Sequence, residues 1–181
     1  MLDEQRLVKI SRYLSKHLRH QPSRLGLTLE PGGWVSVDTL LVACASHSFP
    51  VSAEELREVV ARNDKQRFAF DASGRAIRAN QGHSVDVDLE LLPVSPPGVL
   101  FHGTGLRSVE SIRLSGLLKR GRHHVHLSLD RDTALRVGQR HGRPFVFTVD
   151  AARMAADGHV FFVSANGVWL TDAVPPQYLS G

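Results

Sequence analysis

The sequence predicts an α+β fold in two lobes, and three observations carry that reading. The first half shows apolar residues at helical spacing and then one hairpin pattern. The second half alternates short β-rich runs with short helical ones. Between them stand Pro93, Pro96, Pro97 and Gly98, a stiff connection that continues neither a helix nor a strand. The predicted division is residues 1–92, a linker at 93–98, and residues 99–181 with small mixed β-sheets.

The first lobe opens with Leu7, Ile10, Leu14 and Leu18, spaced by three, four and four, one face of a helix. Lys9, Arg12, Lys16 and Arg19 fall on the opposite side, an arrangement suited to a phosphate backbone and common on ordinary surface helices. The turn Glu30-Pro31-Gly32-Gly33 ends this region, and Trp34-Val35 reads as a short extended piece. Val37, Leu40, Leu41 and Cys44 mark a second helix with Ser36 as its N-cap. Ser52 and Glu55 form a capping box ahead of a third helix through Leu56, Val59 and Val60. Arg67–Phe70 and Arg75–Arg78 flank the turn Asp71-Ala72-Ser73-Gly74 as a hairpin. Three helices and a hairpin make a winged-helix-like lobe, a frequent nucleic-acid module that also serves as a protein-interaction scaffold.

In the second lobe Val99–His102, His124–Ser128, Phe145–Phe147, Val160–Phe162 and Val168–Leu170 read as strands. Gly116 is a predicted helix C-cap, and Asp130 or Asp132 the cap of a helix through Ala134 and Val137.

Composition excludes several classes. No apolar run is long enough for a transmembrane helix, and the charged N-terminus lacks the apolar core of a secretion signal. Cys44 is the single cysteine and lies in an apolar run, so a disulfide framework within the chain is ruled out and a buried small hydrophobe is expected. A cytoplasmic location is the expectation. Gly103 and Gly105 lack the third glycine of a dinucleotide fingerprint, and there is no P-loop lysine motif. His123, His124 and His126 cluster without a cysteine or nearby acid to complete a tetrahedral metal set.

Charge is distributed unevenly. The net charge is +4; Gln5–Leu29 holds six basic residues and no acid, and Gly105–Arg143 holds nine against three. The second lobe has only six acids after Glu90, with no carboxylate pair in a suggestive context. What remains is arginine and histidine in glycine-marked turns: Arg19-His20, Lys65–Phe68, His102-Gly103-Thr104 and Arg140–Arg143. Arginine grips phosphate through a rigid fork and histidine exchanges protons near neutrality, so this set suits chemistry built on positioning and charge neutralisation.

The residues also resemble a known family along nearly the whole chain. Ser15–Pro22 with Gly33-Trp34-Val35, Asp64–Phe68, Ile77–Ser84, Phe101–Thr104, His124–Ser128, Arg140–Gly142 and Ser164–Thr171 are similar, in order, to the signature blocks of the RNA 2′-phosphotransferases. Phe101 stands where that family is expected to have tyrosine. The resemblance implies a winged-helix-like lobe for RNA and an ADP-ribosyltransferase-like lobe for NAD⁺, which is consumed as co-substrate without a metal. It implies two steps. The RNA 2′-phosphate attacks the nicotinamide ribose and expels nicotinamide; the ribose 2″-hydroxyl then takes the phosphate, leaving ADP-ribose 1″,2″-cyclic phosphate and a free RNA 2′-hydroxyl. The family's catalytic set carries over to Arg19, His20, Arg67 and Arg140, with Arg143 a rival for the last. Its NAD⁺-binding positions fall on His102, Gly103, Thr104, Ser128 and Asn166, the glycine being expected to let the backbone approach the cofactor. The expected partner is RNA bearing a 2′-phosphate, tRNA being the familiar kind, and a monomer is the default. Two other readings stay open: an ADP-ribosyltransferase that stops after one step on nucleic-acid ends or protein, and a winged-helix nucleic-acid binder without catalysis.

Overall fold

The computed structural model describes residues 1–181 and divides into two units, Met1–Glu90 and Leu91–Gly181, each with its own hydrophobic core.

In the first unit, α1 (Glu4–Arg19) buries Leu7, Ile10, Leu14 and Leu18, the stripe read from spacing. Asp3 caps its N-terminus by accepting from the Arg6 amide. A strand β1 (Val35–Ser36) leads into α2 (Val37–Ser46), whose cap is Ser36, and α3 (Ala53–Arg62) starts at the complete Ser52–Glu55 capping box. Glu55 also takes a 2.9 Å ion pair from Arg6, which lowers its carboxyl pKa and ties the starts of α1 and α3 together. The hairpin β2 (Phe68–Phe70) and β3 (Ala76–Ala79) follows; Asp71 holds its turn by accepting from the amides of Arg75 and Ala76. β3 is central in an antiparallel sheet of order β1-β3-β2, so the short Trp34-Val35 piece gains a partner in Ile77. Cys44 is fully buried, and burial pushes its thiol pKa up to about 11, which leaves it inert.

The second unit is built on β4 (Leu100–Gly105), β6 (Val125–Leu127), β7 (Pro144–Val149), β8 (Phe161–Val163), β9 (Trp169–Thr171) and β11 (Leu179–Ser180). They form two three-stranded sheets, β11-β7-β4 and β6-β9-β8. The Phe101–Ser128 bridge, with backbone bonds of 2.9 and 2.7 Å, joins the two through β4 and the end of β6. A small ribbon pairs β5 (Leu117–Leu118) with β10 (Ala173–Val174). Helices α4 (Val109–Ser115), α5 (Arg131–Gln139) and α6 (Ala151–Ala156) complete the unit, α5 lying on β4 and β7. Gly116 caps α4, and Asp130 rather than Asp132 caps α5. Val94 donates to the Phe161 carbonyl and Gly98 accepts from Ala152, fastening the proline-rich stretch to this unit.

The expectation of mixed sheets is corrected: every strand pair in both units is antiparallel. Alternating strands and helices are compatible with either strand direction. Here neighbours such as β8 and β9 are joined by a tight reversal, and the helices return the chain antiparallel to the strand it meets. α6, β5, β10 and β11 were not read from the sequence; none exceeds six residues, too short to show a period.

Candidate active site

In the first unit one short stretch, Asn80–Ser84, gathers the predicted residues. Arg19 is the last residue of α1, and its carbonyl accepts from the Ser84 amide at 2.9 Å. Its side chain lies along Gly82, where a Cβ would make ordinary contact at 3.6 Å; Gly82 has φ +86°, so a side chain there would be strained by the backbone. His20 caps α1 and holds its exposed imidazole through Nδ1, 2.9 Å from the Ser84 hydroxyl. Arg67 precedes β2, and its carbonyl accepts from the Asn80 amide at 2.9 Å. The Asn80 side chain donates at 2.6 Å to the carbonyl of Gln66, a residue with left-handed φ of +43°. The half-buried Arg19 and Arg67 and the exposed His20 are thus referred to one five-residue segment. Asn80, Gly82 and Ser84 fall in the Ile77–Ser84 block without being marked there as site residues. The β2–β3 register extends to Asn80, whereas Gly82 and Ser84 have no local pattern that marks them.

The second unit places the other predicted residues along β4 and its neighbours. The half-buried His102 has Nδ1 3.0 Å from the His126 carbonyl. A carbonyl only accepts, so Nδ1 carries the proton. Burial, opposed by that hydrogen bond and reinforced by nearby His141, lowers the ring's pKa. Neutral His102 therefore offers a bare Nε2 lone pair, fit to accept from a hydroxyl. Arg122 donates to His126 Nδ1 at 3.2 Å, since guanidinium has no acceptor. Ser128 stands across the bridge from Phe101, one position from His102. Asn166 lies in the Ser164–Gly167 turn between β8 and β9, where it accepts from the Ser164 hydroxyl while Ser164 accepts from the Val168 amide. In the registers of β6, β9 and β8 that turn is level with Ser128, while His102 lies within β4, next to Phe101, the residue that Ser128 meets.

Gly103 has a packing part that the sequence did not reveal. A Cβ there would lie 1.6 Å from the Ala134 carbonyl oxygen in α5, and one on Gly138 would lie 2.8 Å from the Thr104 carbonyl. The missing side chain admits the close approach of α5. Thr104, 8% exposed, is packed at the same crossing. Arg140 caps the C-terminus of α5 with an exposed side chain, and Arg143, also exposed, lies just before β7. No group of three or more His, Cys, Asp or Glu side chains is placed to hold a metal, and no helix is long and apolar enough to cross a membrane.

These features define a class: an α+β protein of two units, each concentrating arginine and histidine, the side chains suited to phosphate, without a carboxylate cluster. The sequence profile of the RNA 2′-phosphotransferase, Tpt1 / KptA family matches residues 5–173, and the chain belongs to that family. It is 61% identical over 178 residues to a probable RNA 2′-phosphotransferase of Trichormus variabilis, covering 98% of each chain. Similar relatives of that description occur in Streptomyces griseus, 59% identical over 98% of each chain, and Agrobacterium fabrum, 53% identical over 94% of this chain and 91% of the relative.

Proposed function

We propose that this protein removes a 2′-phosphate from RNA and transfers it to the ADP-ribose part of NAD⁺. The observation that carries the reading is the shared anchoring of Arg19, His20 and Arg67 by Asn80–Ser84, in a chain of this family. In this reading residues 1–92 are a winged-helix-like lobe for the RNA 2′-phosphate. Residues 93–98 are the connection, and residues 99–181 an ADP-ribosyltransferase-like lobe for NAD⁺. Arg19 and Arg67 hold the phosphate oxygens through charge-assisted hydrogen bonds. His20, steadied through Nδ1, faces the phosphate with Nε2 and moves a proton in the second step. Arg140 stands beside the phosphate once it is joined to ribose.

The lone pair on His102 Nε2 fits a ribose hydroxyl, and Ser128 and Asn166 supply short polar groups for the rest of the co-substrate. First, a 2′-phosphate oxygen bonds to the nicotinamide-bearing ribose carbon while the glycosidic bond breaks and nicotinamide leaves. Next, the adjacent ribose 2″-oxygen bonds to phosphorus, and the RNA 2′-oxygen departs and takes a proton. The products are RNA with a 2′-hydroxyl, nicotinamide and ADP-ribose 1″,2″-cyclic phosphate.

The test supplies purified protein with NAD⁺ and a short RNA bearing one internal 2′-phosphate, and follows both by mass spectrometry. Loss of the phosphate with appearance of the cyclic phosphate is expected. RNA that gains ADP-ribose and keeps it would make this a one-step transferase. Folded protein that consumes no NAD⁺ would defeat the reading.

A further inference from the structure

The second unit carries a basic depression that the roles above leave largely unused. Leu106, Arg107, Arg140, His141, Gly142 and Arg143 line it: three guanidinium groups, an imidazole and no acid. Arg107, Arg140 and Arg143 are exposed, and none makes an ion pair. Arg113 and Arg136 in the same unit, by contrast, rest on Glu110 and Thr133.

The walls are built rather than loose. The Leu106 amide donates to the Arg143 carbonyl at 2.8 Å, pinning the loop after β4 to the loop after α5. Gly105 permits the contact, because a Cβ there would lie 2.5 Å from the His141 carbonyl oxygen. The depression lies at the end of β4, the strand that carries His102, because Gly105 closes that strand against His141. Cations at a helix C-terminus offset the helix dipole, and that accounts for Arg140 and His141. It does not account for Arg107 on the facing wall, nor for Arg143 beyond the turn.

We infer that Arg107 and Arg143 form a phosphate-ester subsite beside Arg140, taking a phosphate other than the one transferred. Two guanidinium forks on pinned loops suit a diphosphate or a phosphodiester. The anion comes from the NAD⁺ diphosphate or from the RNA backbone. The inference rests on the function proposed above.

The test compares wild type with an Arg107→Gln/Arg143→Gln variant, and with an Arg107→Lys/Arg143→Lys variant that keeps the charge and loses the fork. Inorganic diphosphate binding is measured by calorimetry, and KM for NAD⁺ and for 2′-phosphorylated RNA in steady state. The glutamine variant is expected to bind diphosphate about 10-fold more weakly or worse, with the lysine variant between it and wild type. A matching rise in KM for NAD⁺ assigns the subsite to the co-substrate. A rise in KM for RNA, with a shallower dependence of binding on salt, assigns it to the RNA backbone. If diphosphate binding and both KM values stay within about twofold of wild type in folded protein, the inference is wrong. A wild type that removes no 2′-phosphate, yet loses diphosphate binding on substitution, would defeat the proposed function and leave the subsite standing.

Discussion

Replacing Gly103 by alanine separates two accounts of the same residue. If its purpose were to admit a cofactor, the added methyl would leave the fold intact and raise KM for NAD⁺. The structure puts that methyl 1.6 Å from a backbone oxygen of α5, with the Gly138 nitrogen at 2.9 Å. Neither is a flexible side-chain tip, so α5 must lift off β4 by more than 1 Å. Overpacking usually costs roughly 1–3 kcal/mol, and a backbone-on-backbone clash belongs at or beyond the upper end. We expect Gly103→Ala to lose about 3 kcal/mol or more, a large part of the roughly 5–15 kcal/mol that holds a protein folded. Trp34 and Trp169 are the two tryptophans, so a Trp34→Phe background leaves Trp169 in β9 to report the second unit's urea unfolding. Gly121→Ala is the control: its Cβ meets nothing within 4 Å and its φ is not left-handed, so its stability should be unchanged or slightly raised. A Gly103→Ala protein within about 1 kcal/mol of its parent would refute the packing argument.

Arg67→Ala should leave the melting temperature nearly unchanged and reduce phosphate removal by about 100-fold or more, because the interaction lost is with substrate. Near-normal turnover would remove Arg67 from the site. Ser84→Ala deletes the 2.9 Å bond to His20, worth roughly 0.5–1.5 kcal/mol, so kcat should fall about 3- to 10-fold with a displaced pH profile. Ser84→Thr should restore both; an unchanged profile in the alanine variant would mean the bond does not orient the ring. The depressed pKa of His102 makes the unfolded chain bind a proton more readily than the folded one. Stability should therefore rise with pH between the folded pKa and about 6.5, and be lost as pH falls through that window. His102→Asn should flatten that part of a stability–pH curve, and a variant with the wild-type slope would assign the effect elsewhere.

Long helices and capped termini were legible because their signals are local. α1 announces itself by four leucine and isoleucine positions, and α3 by a serine and a glutamate three residues apart. The β2–β3 hairpin was legible from its turn, but strand pairing in the second unit was not, since antiparallel and parallel neighbours share the same β-rich runs; only β4 meeting β7 in space decides between them. Arginine and histidine in glycine-marked turns could be chosen as candidates from chemistry alone. What brings Arg19 and His20 to the same segment as Arg67 is the return of the chain through Asn80–Ser84, a contact across more than sixty residues. The contact of Gly103 with α5 was equally hidden, because a glycine in a short strand looks alike in sequence whatever packs against it.

The fastening of Arg19 and Arg67 by the amides of Ser84 and Asn80 has a consequence for resilience. Main-chain donors survive any substitution except proline, so side chains along that stretch can drift while the two arginines keep their footing. The same economy makes the arrangement all-or-none. A fluctuation that peels Asn80–Ser84 away releases both arginines and the Ser84 grip on His20 at once. The amides of Asn80 and Ser84 should then exchange hydrogen with solvent at one common opening free energy, and two well-separated values would show that the anchors let go independently.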